Sequence, residues 1–369
     1  MIKAWDDNSP KTHTMTTTNS PRALVAMSGG VDSSVAAYLA QQAGFDCLGC
    51  TMALCSSEGS LCCSVSDVDD ARSAAWRLGM RHYVFNFRAA FDHCVVDNFV
   101  SAYESGLTPN PCVECNRRLK FDVLLRRAAE LDIPCLVTGH YARIERSIEN
   151  NGFVLKKAIH ADKDQSYFLY MMTQEQLARV AFPVGALRKA EVRAIAASLG
   201  LRNADKRESQ DICFVPDGDY AAFIERYRGS SLPEGDFIDF ETGRVLGRHR
   251  GQARYTIGQR KGLPNVGHPI FVLSRDAAKN TVTVGREEHL YSRSLVAADF
   301  NWIGGAPHGP VRVQAKTRYR QAEQPAEAEA VTETAVRLTF DTPQKAIAPG
   351  QSVVLYDNDT VLGGGVIKQ

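Results

Sequence analysis

The sequence predicts an α/β protein. An N-terminal doubly wound parallel-sheet domain comes first, then a small mainly β central domain and a C-terminal β-barrel. Three observations predict this. From Arg22 to about Pro134, short apolar runs alternate with stretches of helical spacing, the pattern of strands covered by helices on both faces. A glycine-rich turn joins the first strand to the first helix. After Gly200 the chain changes to short alternating runs split by turn residues, as in small all-β modules.

The elements follow in order. Residues 23–27 form an apolar strand, and 33–42 a helix stopping before Gly44, a residue suited to a helix end. Residues 45–54 read as a second strand. Residues 66–78 read as a helix with Ser64 or Ser66 at its N-cap and Gly79 closing it. A strand at 82–87, a helix at 91–104, a basic amphipathic helix at 116–131 and a strand at 134–139 complete the alternation. Residues 236–248 read as a hairpin turning through Glu241-Thr242-Gly243. Strands follow at 311–319, 336–340 and 353–356, with a turn at Asp357-Asn358-Asp359. The Ala/Glu-rich stretch 322–330 reads as a solvated loop or edge. The expected units are a disordered extension over 1–20, a catalytic domain over 21–216, a central domain over 217–287 and the barrel over 288–369. The 369 residues suffice for two or three domains.

At 44% hydrophobic and 23% charged residues, the composition is that of a soluble globular protein. A formal net charge of +1 says nothing about a polyanionic partner. Local charge does: between Arg244 and Arg320 there are 14 Lys/Arg against 4 Asp/Glu, an excess of 10. Clustered basic residues can neutralise a phosphate backbone. No run of 18 apolar residues occurs, so no membrane span is expected. Residues 1–20 lack a secretory apolar core and are acidic and poor in Arg; Met15 is a candidate start. A cytoplasmic, reducing compartment is expected. There the ten cysteines are packing residues, catalytic thiols or metal ligands. Cys47, Cys50 and Cys135 lie in strand-like runs and read as packing residues.

The strongest motif is Ser28-Gly29-Gly30-Val31-Asp32-Ser33-Ser34, set between strand and helix. Two glycines allow close backbone approach, and the helix N-terminus offers free N–H groups to an anion. No Lys follows the last Gly, so this is not a Walker loop. It resembles the PP-loop of ATP pyrophosphatases, which split ATP into AMP and pyrophosphate. The resemblance implies that Asp32 helps to hold Mg2+. The loop leaves the attacking nucleophile open.

Two cysteine segments narrow the choice: Thr108-Pro109-Asn110-Pro111-Cys112-Val113-Glu114-Cys115-Asn116, running into Arg117-Arg118-Leu119-Lys120, and Ser209-Gln210-Asp211-Ile212-Cys213-Phe214. The prolines are expected to deliver Cys115 to the mouth of a helix. Basic neighbours there favour the nucleophilic thiolate. With Gly139-His140-Tyr141, Lys163-Asp164-Gln165-Ser166-Tyr167-Phe168-Leu169, Gly258-Gln259-Arg260-Lys261-Gly262, Lys316-Thr317-Arg318-Tyr319-Arg320 and Pro349-Gly350-Gln351-Ser352, the chain resembles the tRNA 2-thiouridylases, the MnmA/TrmU family, from about Leu24 to Lys368. The resemblance implies ATP-dependent 2-thiolation of a tRNA wobble uridine by a monomer. Ala26, Met27, Ser28, Gly29, Gly30, Val31, Asp32, Ser33, Met52 and Gly139 would then line the ATP site. Cys213 would carry a persulfide and Cys115 would attack it. Asn110, Pro111 and Cys112 would meet the target base. His140, Lys163, Asp164, Gln165, Arg318, Tyr319 and Gln351 would serve tRNA recognition. The partners implied are tRNAs for Lys, Glu and Gln, and a sulfur-relay protein or cysteine desulfurase.

One departure keeps a second route open. Many family members carry Asp where this chain has Cys112. Cys112, Cys115 and Cys213 could instead hold a [4Fe-4S] cluster through three thiolates. Cys62-Cys63 reads as an ordinary loop pair, with a metal or sulfur-handling role as the alternative. Two rival functions remain at this level. One is a PP-loop ligase acting on a small molecule; the other is an RNA-binding adaptor or nucleotide sensor without turnover. The first has no need of a basic β-module and paired cysteines, the second none of an intact phosphate loop.

Overall fold

The structure, a computed structural model, describes residues 20–54, 65–147, 151–203 and 212–368. The readings on residues 1–19, Cys62-Cys63, Ser64 and Ser209-Gln210-Asp211 fall outside the described residues.

The N-terminal part is built on β1 (Arg22–Ala26), β2 (Asp46–Ala53), β3 (His82–Asn86), β4 (Cys135–Thr138), β5 (Ala142–Arg146), β6 (Phe153–Lys157) and β7 (Val180–Ala181). Five of these form one parallel sheet in the order β3-β2-β1-β4-β7. Ala23, Leu24, Val25 and all of β4 are buried. A strand covered on both faces has no wet side and therefore reads as a continuous apolar run. One face packs on α1 (Val31–Gln42), α2 (Val65–Arg77) and the helix Lys189–Ser198. The other packs on the helical runs 88–104 and 111–130.

The second of these runs departs from expectation. It starts at Pro111, whose missing N–H costs nothing in a first turn, rather than at Asn116. Its nine residues Cys115–Val123 are wound as a π-helix, a form uncommon outside functional sites. Asp92–Val96 in the facing run is π-helical too.

Four strands, β8 (Gly235–Asp239), β9 (Val245–His249), β10 (Phe271–Asp276) and β11 (Thr281–Gly285), form the central unit in the order β10-β11-β8-β9. The expected hairpin is β8–β9. Phe237, Tyr255, Ile270, Val272, Val282 and Val284 fill its core. The last unit contains β12 (Tyr291–Trp302), β13 (Val311–Lys316), β14 (Gln324–Thr332), β15 (Ala335–Lys345), β16 (Ser352–Asp357) and β17 (Thr360–Ile367). They run β12-β15-β14-β13-β16-β17, and β12 pairs with β17 to close a barrel. The expected loop at 322–330 is therefore wrong: most of it is strand β14. Ala326 and Ala328 are buried, and Glu327 and Glu329 are exposed and alternate with them. The small, weakly β-forming alanines fit inside a narrow barrel, and packing overrides propensity.

The barrel is fixed to the first unit. Hairpin β5–β6 continues the barrel sheet through β17, with Val361 opposite Leu155. The Tyr167 hydroxyl donates to the Ser352 carbonyl at 2.8 Å, and Asn301 Nδ2 to the carbonyls of Tyr170 and Met172 at 2.7 and 3.1 Å.

Candidate active site

The phosphate loop sits where β1 ends and α1 begins, at the carboxyl edge of the sheet. Gly30 is the N-cap of α1 and has no side chain to cap the first turn, so the helix end is open to an anion. Gly29 takes φ +76°, and a Cβ there would lie 2.3 Å from the Asp67 carbonyl oxygen. Ser33 Oγ donates to the Gly30 carbonyl at 3.0 Å and accepts from the Ser28 N–H at 3.1 Å, which holds the turn. Gly139, just after β4, faces the same first turn: a Cβ on it would lie 2.7 Å from Ser33 N. Ala26, Met27 and Met52 lie at the ends of β1 and β2 beside the loop, with Met27 and Met52 buried. These close approaches leave the cradle a phosphate needs, so the loop fits a nucleotide.

Asp32 lies in the first turn and is already engaged. The Tyr141 hydroxyl donates to its Oδ1 at 2.7 Å, and Lys189 Nζ donates to Oδ1 and Oδ2 at 2.7 and 2.8 Å. Lys189 is 6% exposed, and a buried ammonium is tolerable only when paired. Sequence reading missed Lys189; its one signal was a lysine opening a helix, where the dipole disfavours a cation. Asn203 was missed as well. It is buried and donates to the Gly29 carbonyl at 2.9 Å and to Ser34 Oγ at 3.1 Å.

From Gly139 the site continues to the cysteines. The His140 ring lies 5.7 Å from Phe121 and 5.6 Å from Phe182, and its Nδ1 is 2.7 Å from Thr138 Oγ1. Burial first, and then the Lys120 charge, hold its pKa well below the usual range. Lys120 donates to Asn116 Oδ1 at 3.0 Å, and Asn116 donates to the Phe168 carbonyl at 3.1 Å. Lys120 thus stands fixed near His140, Cys112 and Cys115.

Cys115 is a free thiol, 9% exposed, in the second turn of its helical run. The expected helix mouth is occupied by Pro111 and exposed Cys112 instead. Burial raises the Cys115 pKa and Lys120 lowers it. For Cys112, desolvation and then Cys115 raise it, against Lys120. The resting site therefore favours thiol, not the expected thiolate. Cys213 packs against the same core cluster as Cys115. Cys213 is disulfide-bonded whereas Cys115 is free, so the two are not joined to each other. With Cys213 in a disulfide, Cys112 and Cys115 are the two free thiols of the trio in this state. Cys47, Cys50 and Cys135 behave as packing residues: burial pushes Cys47 up to about 12 and Cys135 to about 11, and raises Cys50 as well.

The residues expected to meet tRNA divide. Asn110 is the N-cap before Pro111, which is buried. Lys163 is half-buried in a single turn, Ala161–Lys163. Asp164 is 7% exposed; its carboxylate accepts from Ala158 N, Ser166 N and Ser166 Oγ at 3.0, 3.2 and 2.7 Å. That carboxylate holds the 158–166 loop. Gln165 Oε1 accepts from Tyr141 N at 3.0 Å and so supports the His140-Tyr141 turn. Arg318 Nη2 donates to the Ala346 carbonyl at 2.5 Å. The Tyr319 ring lies 4.4 Å from Phe168. Gln351 sits in the turn before β16, its backbone bonded to Ala348 and Ile367.

Three family matches cover the chain: the tRNA methyl transferase HUP domain over residues 21–217, its PRC-barrel domain over 221–286 and the aminomethyltransferase beta-barrel domain over 292–367. The chain is 46% identical over 358 residues to the tRNA-specific 2-thiouridylase MnmA of Geotalea uraniireducens, covering 94% of this chain and 95% of that protein. It is 46% identical over 358 residues to that of Halothermothrix orenii, covering 94% and 99%. Among solved structures, the U34-tRNA thiolase NcsA from Methanococcus maripaludis with its [4Fe-4S] cluster matches 56% of this chain and 66% of that one, at 17% identity and a TM-score of 0.35. At nearly full length and this identity, the chain belongs to the tRNA-specific 2-thiouridylase MnmA family.

Proposed function

We propose that this tRNA sulfurtransferase replaces the 2-oxygen of the wobble uridine with sulfur, using ATP to activate the oxygen and Cys213 and Cys115 to deliver the sulfur. The observation that carries the reading is continuity. Gly139 abuts the first turn of α1, His140 follows it, and Lys120 acts electrostatically on both His140 and Cys115. That continuity supports reading phosphate cradle and thiol as one site.

In this reading the uridine 2-oxygen attacks the α-phosphate of ATP, and pyrophosphate leaves. The N–H groups of the first turn of α1, with Ser28 and Ser33, hold the phosphates. Lys189 keeps Asp32 in place. Mg2+ would be held by Asp32 and would neutralise charge on the leaving group. A thiol reductant frees Cys213, which a sulfur-relay protein or cysteine desulfurase then loads as a persulfide. The Cys115 thiolate attacks the Cys213 sulfur, forming a Cys115–Cys213 disulfide and releasing hydrosulfide. Hydrosulfide adds at C2 and AMP leaves with the former 2-oxygen. A further two-electron thiol reduction resets the pair. Asn110 and Pro111 border the base, and tRNAs for Lys, Glu and Gln are the substrates by family likeness. The unit boundaries proposed are 21–216, 217–287 and 288–369.

The test is thiolation of unmodified tRNA with ATP and either sulfide or a persulfide donor, read by mass spectrometry of nucleosides. Cys115→Ala and Cys213→Ala should abolish 2-thiouridine with the persulfide donor, and Cys112→Ala should not. Loss on Cys112→Ala, together with bound iron in an anaerobic preparation, would replace the persulfide route by the cluster route. Absence of 2-thiouridine with tRNA bound would remove the function.

A further inference from the structure

Thr108 stands where three units meet. It is 7% exposed and lies four residues before Cys112 and seven before Cys115. Its hydroxyl accepts from Arg275 Nη2 at 2.8 Å, and Arg275 belongs to β10 of the central unit. Its N–H donates to the Pro349 carbonyl at 2.9 Å, and Pro349 precedes β16 of the barrel. Gly350 has φ +90°, and a Cβ there would lie 2.8 Å from Thr108 N and 2.9 Å from Leu107 Cβ. On the other side, a Cβ at Gly106 would lie 3.4 Å from the Arg275 carbonyl. Backbone is pressed against backbone on both flanks of the 106–108 turn.

Arg275 is an unusual residue to spend on this contact. Its Nε and Nη1 are buried with no hydrogen-bond partner. Its guanidinium lies 5.8 Å from the centroid of the Tyr103 ring, in the helical run that ends just before Thr108. A methionine of similar length would fill the space without burying unpaired donors, and such donors are rare in folded proteins. What Arg275 supplies beyond bulk is one directed hydrogen bond to the Thr108 hydroxyl and a cation beside Tyr103. Both act on the segment leading to Asn110, the N-cap of the cysteine-bearing helix.

We propose that Arg275 and Thr108 form a positioning joint: the central unit, through Arg275, and the barrel, through Pro349-Gly350, set the 108–110 segment and with it the cysteine helix. Arg275 touches neither nucleotide nor thiol and acts through Thr108. The joint couples the seating of tRNA on the two β units to the placement of Cys115. It rests on the reading of Cys115 as the acting thiol.

The test uses the full-length enzyme with Thr108→Val, Thr108→Ser and Arg275→Met. Four quantities are read: thiolation kcat, KM for ATP, tRNA affinity, and the change in Cys115 alkylation rate when tRNA binds. Thr108→Val and Arg275→Met should each lower kcat about tenfold or more, leave KM for ATP and tRNA affinity within about twofold, and abolish the tRNA-dependent change in alkylation. Thr108→Ser keeps the hydroxyl and should stay within about threefold of the parent in kcat. Parent-like kcat in Thr108→Val would overturn the joint, as would a Thr108→Ser defect equal to that of Thr108→Val. If Thr108→Val does not fold, Arg275→Met decides, since it leaves the turn intact; parent-like kcat there also overturns the joint. Cys115→Ser in the otherwise unchanged chain separates the two readings. Full activity in that variant removes the role of Cys115 and leaves the joint to be judged by the kcat of the Thr108 and Arg275 variants alone.

Discussion

The thiol proposed as the nucleophile is buried, and one lysine opposes the effect of that burial. Lys120 is held by Asn116 at 3.0 Å and is the cation that lowers the Cys115 pKa against desolvation. Lys120→Met should therefore slow alkylation of Cys115 at pH 8, on the order of tenfold for each unit its pKa rises. Lys120→Arg should not slow it. Equal alkylation of Lys120→Met and parent would remove this assignment. His140 responds to pH in the same sense as a paired acid, although its cause is burial and not pairing. Its folded pKa is depressed below the ordinary 6.5 by burial and then by Lys120, so the unfolded chain takes up the proton first as pH falls. Stability from this group is complete above about pH 6.5 and is lost as pH drops toward the folded value. Urea midpoints should hold from pH 7 to 8 and fall below 6.5, and His140→Asn should flatten that fall. At this scale the sequence set Cys115 beside basic residues, Lys120 among them, but misjudged the state of the thiol. The prolines before Cys115 signalled a helix start, yet Pro111 itself opens the helix, which carries Cys115 one turn inward. Burial depends on contacts with distant residues such as Phe214 and Tyr170 in the same cluster, and local sequence does not reveal those.

The site is held by places where elements touch without side chains between them. Gly139 is the clearest, because its Cα faces the N-terminus of α1 and a Cβ would meet Ser33 N at 2.7 Å. Gly139→Ala should push β4 away from the first turn and lower ATP-dependent pyrophosphate release by about tenfold or more, since misplacement near 1 Å costs on the order of a hundredfold. tRNA binding should be untouched. Pyrophosphate release at the parent rate would show that the close approach is dispensable. The strand–glycine–helix order of the phosphate loop was legible because it is local: a buried apolar strand, two glycines and a helix starting at Val31. Strand β14 was not, because Ala and Glu are poor β formers and composition outweighed the two-residue alternation that was present. The π-helical turn at Cys115–Val123 left no sequence signal. It needs one extra residue per turn, and apolar periodicity over so short a stretch does not separate that from an α-helix.

Across the whole molecule, a net charge of +1 conceals an uneven distribution. Of the basic residues in the 244–320 stretch, several are neutralised locally: Arg248 with Asp236 at 3.0 Å, Arg254 with Glu225 at 2.8 Å and Arg312 with Asp341 at 2.6 Å. Arg275 is engaged with Thr108. Arg244, Arg250, Arg260, Lys261 and Arg320 are exposed and form no ion pair among the described residues. The loop holding Arg260 and Lys261 starts at Gly258, where a Cβ would lie 3.0 Å from Ala346 Cβ of the barrel, so it lies at the seam between the two β units. An unpaired cation can exchange its counterions for phosphates, whereas one already paired has little to release. Replacing both Arg260 and Lys261 by Ala should therefore weaken tRNA binding at all salt concentrations. It should also reduce the slope of log affinity against log KCl by about 0.9 for each phosphate that is no longer neutralised. Arg248→Ala and Arg312→Ala, each freeing an aspartate, should change the slope by less than half as much. KM for ATP should stay constant in all of them, because the nucleotide cradle lies on the first unit. An unchanged slope in the Arg260/Lys261 variant would place the phosphate backbone away from this seam. A slope reduced equally by Arg248→Ala and Arg312→Ala would mean that total charge, rather than the unpaired cations at the seam, attracts the RNA.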